Sequence, residues 1–128
     1  MVRLLKSVEM PVRRAAAEAL GRIGSPNAVA SLLALADEVM DRALEHSVTF
    51  ALIEIAQPDA VPLSRLGSRP GALRVALMAL DQMEGDHLSV EDVLPSLKSH
   101  TTAVRKTAEW ICDRHPAVSY THLRAHET

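Results

Sequence analysis

The stretch that decides the fold is VRRAAAEALGRIGSPNAV, which runs from Val12 to Val29. Its apolar residues recur every three or four positions as far as Ile23, which is the period of an amphipathic α-helix. Gly24 follows where a helix C-cap favours a left-handed residue, and Ser25-Pro26-Asn27 is a typical start signal for a new helix. The stretch therefore predicts a helix, a turn and a second helix.

The pattern of this first helix returns three more times along the chain. The first apolar anchors are Val12, Leu44, Ala72 and Val104, with spacings of 32, 28 and 32 residues. Apolar residues follow each anchor at +4, +7 and +8, as the helical period requires. Further start signals follow the next two first helices, at Gln57-Pro58-Asp59 and at Ser89 with Asp92, so each of these units is expected to contain a second helix. A period near 30 residues is typical of helical repeat proteins.

Both ends of the chain extend the repeat. Leu4-Leu5-Lys6-Ser7 aligns with Ser96-Leu97-Lys98-Ser99 at a constant offset of 92, which predicts that the chain begins inside the second helix of a preceding unit. By the same register the chain breaks off after the first helix of a following unit. We therefore predict an all-α fold, an α-solenoid of about three full helical hairpins with a half repeat at each end.

The last eleven residues, Val118 to Thr128, depart from the Ala- and Leu-rich pattern. They resemble one translated frame of a sequencing adapter, which favours a non-native tail, and a native disordered tail is the alternative. The expected organisation is a solenoid fragment over residues 1–117 followed by this tail over residues 118–128.

Composition and charge argue against several classes of protein. The chain has 14 Lys and Arg against 16 Asp and Glu, so a surface that neutralises a phosphate backbone is not expected, and neither is a nucleic-acid partner. A single cysteine, Cys112, excludes an internal disulfide. The apolar runs are too short to cross a bilayer and no signal-peptide pattern is present, so membrane insertion is not expected and the compartment stays undetermined.

The stretch from Val12 to Val29 closely resembles a bacterial HEAT repeat of the kind also found in phycobilisome-lyase subunits, and the resemblance extends from Met1 to about Pro116. It implies an α-solenoid whose repeat faces bind protein. This repeat occurs in scaffolds, lyases and glycosylases, so the resemblance is specific for the fold and weak for the activity.

A narrower likeness concerns large exported bacterial proteins that place a dehydrogenase-like β-propeller before a HEAT solenoid and a cytochrome c domain after it. The segments that carry it are Asp41–His46, Ala51–Ile55, Ala79–Met83, Ala108–Ile111 and His115-Pro116. It implies an exported parent protein, and without it a cytoplasmic one is expected. The family's haem motif, Cys-x-x-Cys-His, is missing because Cys112-Asp113-Arg114-His115 lacks the second cysteine, so no cofactor is predicted.

Residues of the types that bind metals or act in catalysis are scattered through the sequence. Four histidines fall in different units, namely His46, His87, His100 and His115. No two of them have the i,i+4 spacing that places two metal ligands on one helical face, so no metal site is predicted. Neither a nucleophile elbow nor a phosphate-binding glycine loop is present, and the segment is predicted not to be an enzyme. We interpret the glycines as markers of helix ends and turns, at Gly21, Gly24, Gly67, Gly71 and Gly85.

One set of outward-facing positions combines large apolar residues with basic residues. With the core of each first helix centred near Ala19 and Ile23, the registers of Arg14, Glu18 and Gly21 point most nearly away from it. The eight candidate interaction residues in these registers are Phe50, Ile53, Met78, Trp110, Arg14, His46, Arg74 and Lys106. A basic residue of the Arg14 register is expected to lie over Phe50 or Trp110 in a cation–π contact.

This set of eight residues supports two interpretations. It is either an exposed interface or a register that a neighbouring helix or domain buries. The first functional hypothesis is a non-catalytic HEAT-type scaffold or docking segment of a larger protein. The second is a positioning domain of an enzyme, either dehydrogenase-like or phycobilisome-lyase-like, whose catalytic parts lie elsewhere. A third, a DNA-alkylation glycosylase, requires a basic concave groove that the charge balance argues against.

Overall fold

The structure is a computed structural model that describes residues 2–6, 9–38, 41–85 and 87–114. Every regular element in these ranges is helical. The α-helices are α1 (Met10–Ile23), α2 (Val29–Ala36), α3 (Arg42–Ile55), α4 (Pro70–Gln82), α5 (Val90–Leu97) and α6 (Thr102–Arg114). The tail predicted over residues 118–128 lies outside the described residues.

The four helices predicted to open the repeats, α1, α3, α4 and α6, pack against one another in chain order. The second helices form another layer, in which α2 contacts α3 and α4 while α5 contacts α6. Val2–Lys6 forms a 3₁₀ helix that packs on α1 and α2, with Leu5 buried. The predicted α-solenoid is confirmed.

The core follows the predicted register. Positions +4 and +8 are buried in all four first helices, as Ala16, Val48, Ala76 and Ala108 and as Leu20, Leu52, Leu80 and Cys112. Cys112 is therefore a core residue, as its register predicts. Ile23 is an exception because it is 62% exposed, while its counterparts Ile55 and Met83 are buried. In the part of the chain that the structure describes, no first helix precedes α1 to cover this position.

Most helix ends form where the sequence places them. Gly24 closes α1 in the left-handed region, at φ 75°, and its N–H donates to the carbonyl of Leu20. Asp41 opens α3 by accepting a hydrogen bond of 2.7 Å from the Leu44 N–H. Ser89 and Asp92 form the predicted capping box at the start of α5. Each contact satisfies a backbone group that has no partner within its helix.

The second unit departs from the predicted pattern. After α3 the chain forms two 3₁₀ turns, Pro58–Ala60 and Leu63–Arg65, where an α-helix was predicted. Pro62 disfavours an α-helix that starts at Pro58, because a proline lacks an N–H to donate and its ring clashes with the carbonyl four residues earlier. The short helix α5 nevertheless accommodates Pro95 near its end. Val61 and Leu66 are nevertheless buried, so the two turns fill the second layer in place of the helix.

Two glycines that we interpreted as markers of a helix end and a turn are packing positions. Gly21 is buried inside α1, and a Cβ atom there would lie 2.8 Å from the Cα of Ala51 in α3. Gly71 is the second residue of α4, and a Cβ atom there would overlap the carbonyl oxygen of Ala36. Both positions require a residue without a side chain, because another backbone passes directly over them.

Asp37 joins the end of α2 to the start of α4. Its carboxylate accepts a hydrogen bond of 3.0 Å from the backbone N–H of Ala72 and one of 2.5 Å from Nε of Arg69. The neighbouring Glu38 bonds Arg13 of α1 at 2.9 Å. This pair of carboxylates therefore stabilises the start of α4 and ties the end of α2 to α1.

We expect Gly71→Ala to lower the free energy of unfolding by roughly 1–3 kcal/mol, because the new methyl group must displace the backbone at Ala36. Gly67→Ala is the matched control, since nothing lies within 4 Å of its Cβ position, and its effect should stay within about 0.5 kcal/mol. Urea denaturation followed by far-UV circular dichroism measures both. Equal effects of the two substitutions would contradict the packing.

The C-caps of α1 and α3 allow a reciprocal test. Ala56 ends α3 with φ 53°, at the position equivalent to Gly24 in α1. Because an alanine in the left-handed region is strained, Ala56→Gly should stabilise the protein by about 0.5–1 kcal/mol and Gly24→Ala should destabilise it by a similar amount. Thermal unfolding of both variants measures the difference, and destabilisation by Ala56→Gly would show that the cap is not formed.

Candidate protein-binding surface

An open groove runs along the outer junction of α3 and α4. Its volume is about 230 Å³, below the roughly 300–1,000 Å³ of typical small-molecule pockets. Its lining residues are Arg42, Glu45, His46, Thr49, Phe50, Ile53, Arg74, Val75, Met78 and Gln82.

The structure brings five of the eight predicted surface residues together in this groove. They are His46, Phe50, Ile53, Arg74 and Met78. Phe50 is 51% exposed, so the register does point outward at this helix. Met78 is half-buried, and Ile53 packs against the hydrophobic core from its outer side. The apolar floor of the groove is thus continuous with the protein interior.

Charges flank this apolar floor. Arg74 of α4 forms a salt bridge with Glu45 of α3, which links the two walls of the groove across the helix junction. His46 and Arg42 are exposed on the α3 side. Because the Arg74 charge is paired, Arg74 is held in place and its positive charge is partly neutralised. The groove therefore combines apolar contact area with a few fixed polar groups.

Trp110 lies on α6, outside this groove, and is 42% exposed. The guanidinium carbon of Arg114 lies 4.7 Å from the centre of its ring, within cation–π range. Arg114 Nη1 also donates a hydrogen bond of 2.7 Å to Oδ2 of Asp81 on α4. The Asp81 side chain is only 1% exposed, so a buried carboxylate anchors the arginine that covers one face of the tryptophan.

The predicted source of this cation was wrong. We expected a residue of the Arg14 register, such as Lys106, one turn before the aromatic residue. Arg114, one turn after it, makes the contact instead. Side chains on an α-helix tilt toward its N-terminus, so a residue at i+4 reaches back over residue i more easily than a residue at i−4 reaches forward. Arg14 and Lys106 are not among the residues that line the groove.

Sequence reasoning also missed half of the groove lining. Glu45, Thr49 and Gln82 each lie one residue away from a position in the Arg14, Glu18 or Gly21 register. A contact between two helices is wide enough to include them. The available signal was the charge pair of Glu45 and Arg74, whose registers are adjacent on neighbouring first helices. A single register followed down the stack does not show this pair, because the pair joins two different registers across a helix junction.

The described residues contain no group of three or more His, Cys, Asp or Glu side chains placed to hold a metal ion. Within these residues, no helix combines the length and apolar character that a membrane crossing requires. His46 lies in the groove, whereas the His87 ring contacts the carbonyl of Glu84 at 2.7 Å. His115 lies outside the described residues.

Residues 12–38 match the family model described as the PBS lyase HEAT-like repeat. This match supports a HEAT-repeat protein. It spans most of α1, all of α2 and the residues that join them, which is one complete helical hairpin of the stack. No curated protein matches the chain. HEAT repeats generally mediate protein interactions.

Removing the cation from Trp110 provides a local test of this surface. We expect Arg114→Met to lower the free energy of unfolding by roughly 1–2 kcal/mol, because it takes a charged partner from the buried Asp81 carboxylate. The loss is smaller than for a fully buried pair because the Arg114 side chain is 43% exposed. The fluorescence of Trp110, the single tryptophan, reports the change directly.

Arg22→Met is the matched control for this test. Arg22 occupies the same register of α1 and is exposed. Its substitution should change stability by less than about 0.5 kcal/mol. Tryptophan emission and stability that are unaltered by Arg114→Met would contradict the described arrangement of Asp81, Arg114 and Trp110.

Proposed function

We propose that this chain is a non-catalytic HEAT-repeat scaffold that binds protein through the outer faces of α3, α4 and α6. The observation that carries the proposal is the groove between α3 and α4, which gathers Phe50, Ile53 and Met78 beside the paired charges of Arg74 and Glu45. Aromatic, methionine and arginine side chains are enriched in the cores of protein interfaces.

Trp110 extends this surface to the next helix junction. Its ring is held by Arg114 and is still 42% exposed, so it offers a partner a large contact area whose geometry is already fixed. A side chain that is ordered before binding loses less conformational entropy on association. Phe50 and Trp110 are therefore the two residues proposed to contribute most of the binding free energy.

The proposal includes the organisation of the chain and the absence of some partners. Residues 1–117 are proposed to form one solenoid segment and residues 118–128 a separate tail. The segment is proposed to bind neither nucleic acid nor cofactor, since its net charge is −2 and several of its cations are paired with carboxylates, including Arg13, Arg69 and Arg74.

The test is the affinity of this protein for the protein partner that it captures in its own organism. Phe50→Ala and Trp110→Ala should each raise Kd about fivefold or more, because truncation of an interface anchor costs at least about 1 kcal/mol. His100→Ala, an exposed residue in the turn before α6, is the control and should leave Kd unchanged.

Circular dichroism must show that both variants keep the wild-type helix content. An unchanged Kd for Phe50→Ala and Trp110→Ala would then contradict the proposed surface. Retention of the wild-type chain on heparin at moderate salt would contradict the absence of a nucleic-acid partner, because such retention reports clustered unpaired cations.

A further inference from the structure

Two rows of side chains cross the outer surface of α3, α4 and α6. The first is apolar and consists of Phe50, Met78 and Trp110, which share one register of the repeat. Phe50 is 51% and Trp110 42% exposed, and Met78 is half-buried. Because α3, α4 and α6 pack in chain order, these three side chains follow one another across the stack. We call them the apolar row.

The second row is basic. His46, Arg74 and Lys106 each stand four residues before a member of the apolar row, which places them one turn nearer the start of each helix. Arg42 lies one further turn before His46 on α3. Arg42, His46 and Lys106 are exposed, and the Arg74 side chain is 28% exposed. We call these four residues the basic row.

The basic row has positive charge to offer a partner. Glu45 lies beside it and forms a salt bridge with Arg74, so these two charges partly cancel. Among the described residues, neither Arg42 nor Lys106 forms an ion pair. Two exposed cations, one at each end of the row, are therefore available to carboxylates of a bound protein.

On the opposite side of the apolar row, the charges are paired or directed elsewhere. Arg114 is bonded to Asp81, whose side chain is only 1% exposed. The carboxylate of Glu54 is directed toward α1, where it lies over Gly21. The surface is therefore basic on one side of the apolar row and close to neutral on the other.

Acidic residues limit this surface at both edges of the stack. On α1, Glu18 occupies the register of the apolar row, is exposed, and accepts a hydrogen bond from Ser47. On α6, the exposed Asp113 occupies the register of Gly21, which on α1 faces the next first helix. An acidic partner that extended past either edge would meet like charges, so the surface fits a segment that spans three helices.

The distance between the helices sets the spacing of apolar side chains on a partner. Packed helices lie about 8–10 Å apart, so a segment that crosses them must present one apolar side chain over each such distance. An extended strand does not, because three residues cover about 10 Å and side chains three residues apart point to opposite faces. In an α-helix, seven residues cover about 10.5 Å and return to nearly the same face. An α-helix that crosses the stack slightly obliquely therefore matches the apolar row.

The basic row favours an α-helix over a polyproline helix, whose turn of about 9 Å also matches the spacing. Successive residues of a polyproline helix lie about 120° apart, so the acidic neighbours of each apolar side chain would point away from the surface. In an α-helix, the residue four positions from an apolar side chain lies only about 40° from it. Acidic side chains at such positions can reach the basic row.

We propose that the outer surface binds an acidic amphipathic α-helix of another protein, which crosses α3, α4 and α6. Its apolar side chains, about seven residues apart, contact the apolar row, and the acidic side chains along one edge lie against the basic row. This inference rests on the proposed protein-binding function and adds to it the chemistry of the partner.

The test measures the binding of two synthetic helical peptides to the full chain. Both carry leucine at every seventh position; one has glutamate and the other lysine four positions after each leucine. At low salt the glutamate peptide should have a Kd about tenfold lower, because its charges complement the basic row and those of the lysine peptide oppose it. Added salt should reduce this ratio. The fluorescence of Trp110, the single tryptophan, reports binding.

Charge reversal in the basic row should reduce the preference for the glutamate peptide. Arg42→Glu and Lys106→Glu should each lower the ratio of the two Kd values by about threefold or more, because each replaces an attraction by a repulsion. Both side chains are exposed, so we expect the fold to be kept. Arg65→Glu changes the net charge equally, at an exposed position of the second layer, and should leave the ratio unchanged.

Equal binding of the two peptides would overturn the inference, and so would a ratio that Arg65→Glu lowers as much as Arg42→Glu does. A glutamate peptide with leucines five residues apart should bind more weakly, and equal affinity would contradict the spacing. If no peptide binds while Phe50→Ala still weakens binding of the natural partner, the acidic helix is wrong and the proposed function stands. Natural binding that is unaffected by Phe50→Ala and Trp110→Ala would instead reject the proposed function.

Discussion

The close approach of consecutive first helices is the constraint on which the rest of the structure depends. Gly21 of α1 meets the backbone of Ala51 in α3, and Gly71 lets the start of α4 meet the end of α2. Small side chains gain little from burial themselves, but they allow backbones to pack at a short distance and bring larger residues such as Leu20 and Leu52 together in the core. The α1–α3 contact joins consecutive first helices, and the α2–α4 contact reaches past α3 to the following first helix, so both join elements within three consecutive units.

This packing also determines what remains on the surface. Since alanine and glycine fill the junctions, larger side chains one step away on the same helices are left half-covered at the outer edge. Phe50, Met78 and Trp110 are in this position. The ion pairs Glu45 with Arg74 and Asp81 with Arg114 cross two of the same junctions and fix the polar groups beside them. Core and candidate surface are thus two consequences of one helix spacing.

Much of the fold could be predicted from the sequence, because the repeat places residues of the same kind at the same register. The buried +4 and +8 positions, the C-cap at Gly24 and the capping box at Ser89 all depend on short-range patterns. The two 3₁₀ turns between α3 and α4 were missed because Pro58 was interpreted as a helix start. Pro62, four residues later, disfavours an α-helix after this start signal.

The surface was predictable in part, and the reason is geometrical. Exposure of Phe50 and Trp110 follows from the angular position of one register on a helix. The interaction partners of Phe50 and Trp110 cannot be predicted in this way, because they depend on which side chain of the next helix lies opposite. Arg114 reaches Asp81 across a junction, and that distance is set by the helix packing. Gly21 was misinterpreted for the same reason, since its role is defined by Ala51 on another helix.

The central claim is that consecutive first helices pack directly on one another in chain order. Nuclear Overhauser spectroscopy of the full chain tests it most directly, because it detects protons that are close in space. The account predicts cross-peaks between the α-protons of Gly21 and the methyl group of Ala51, across the α1–α3 junction. It also predicts a cross-peak between the α-protons of Gly71 and the α-proton of Asp37, which places the start of α4 beside the end of α2. Their absence, together with extensive cross-peaks between α1 and α6, would indicate a closed bundle and contradict the stacked arrangement.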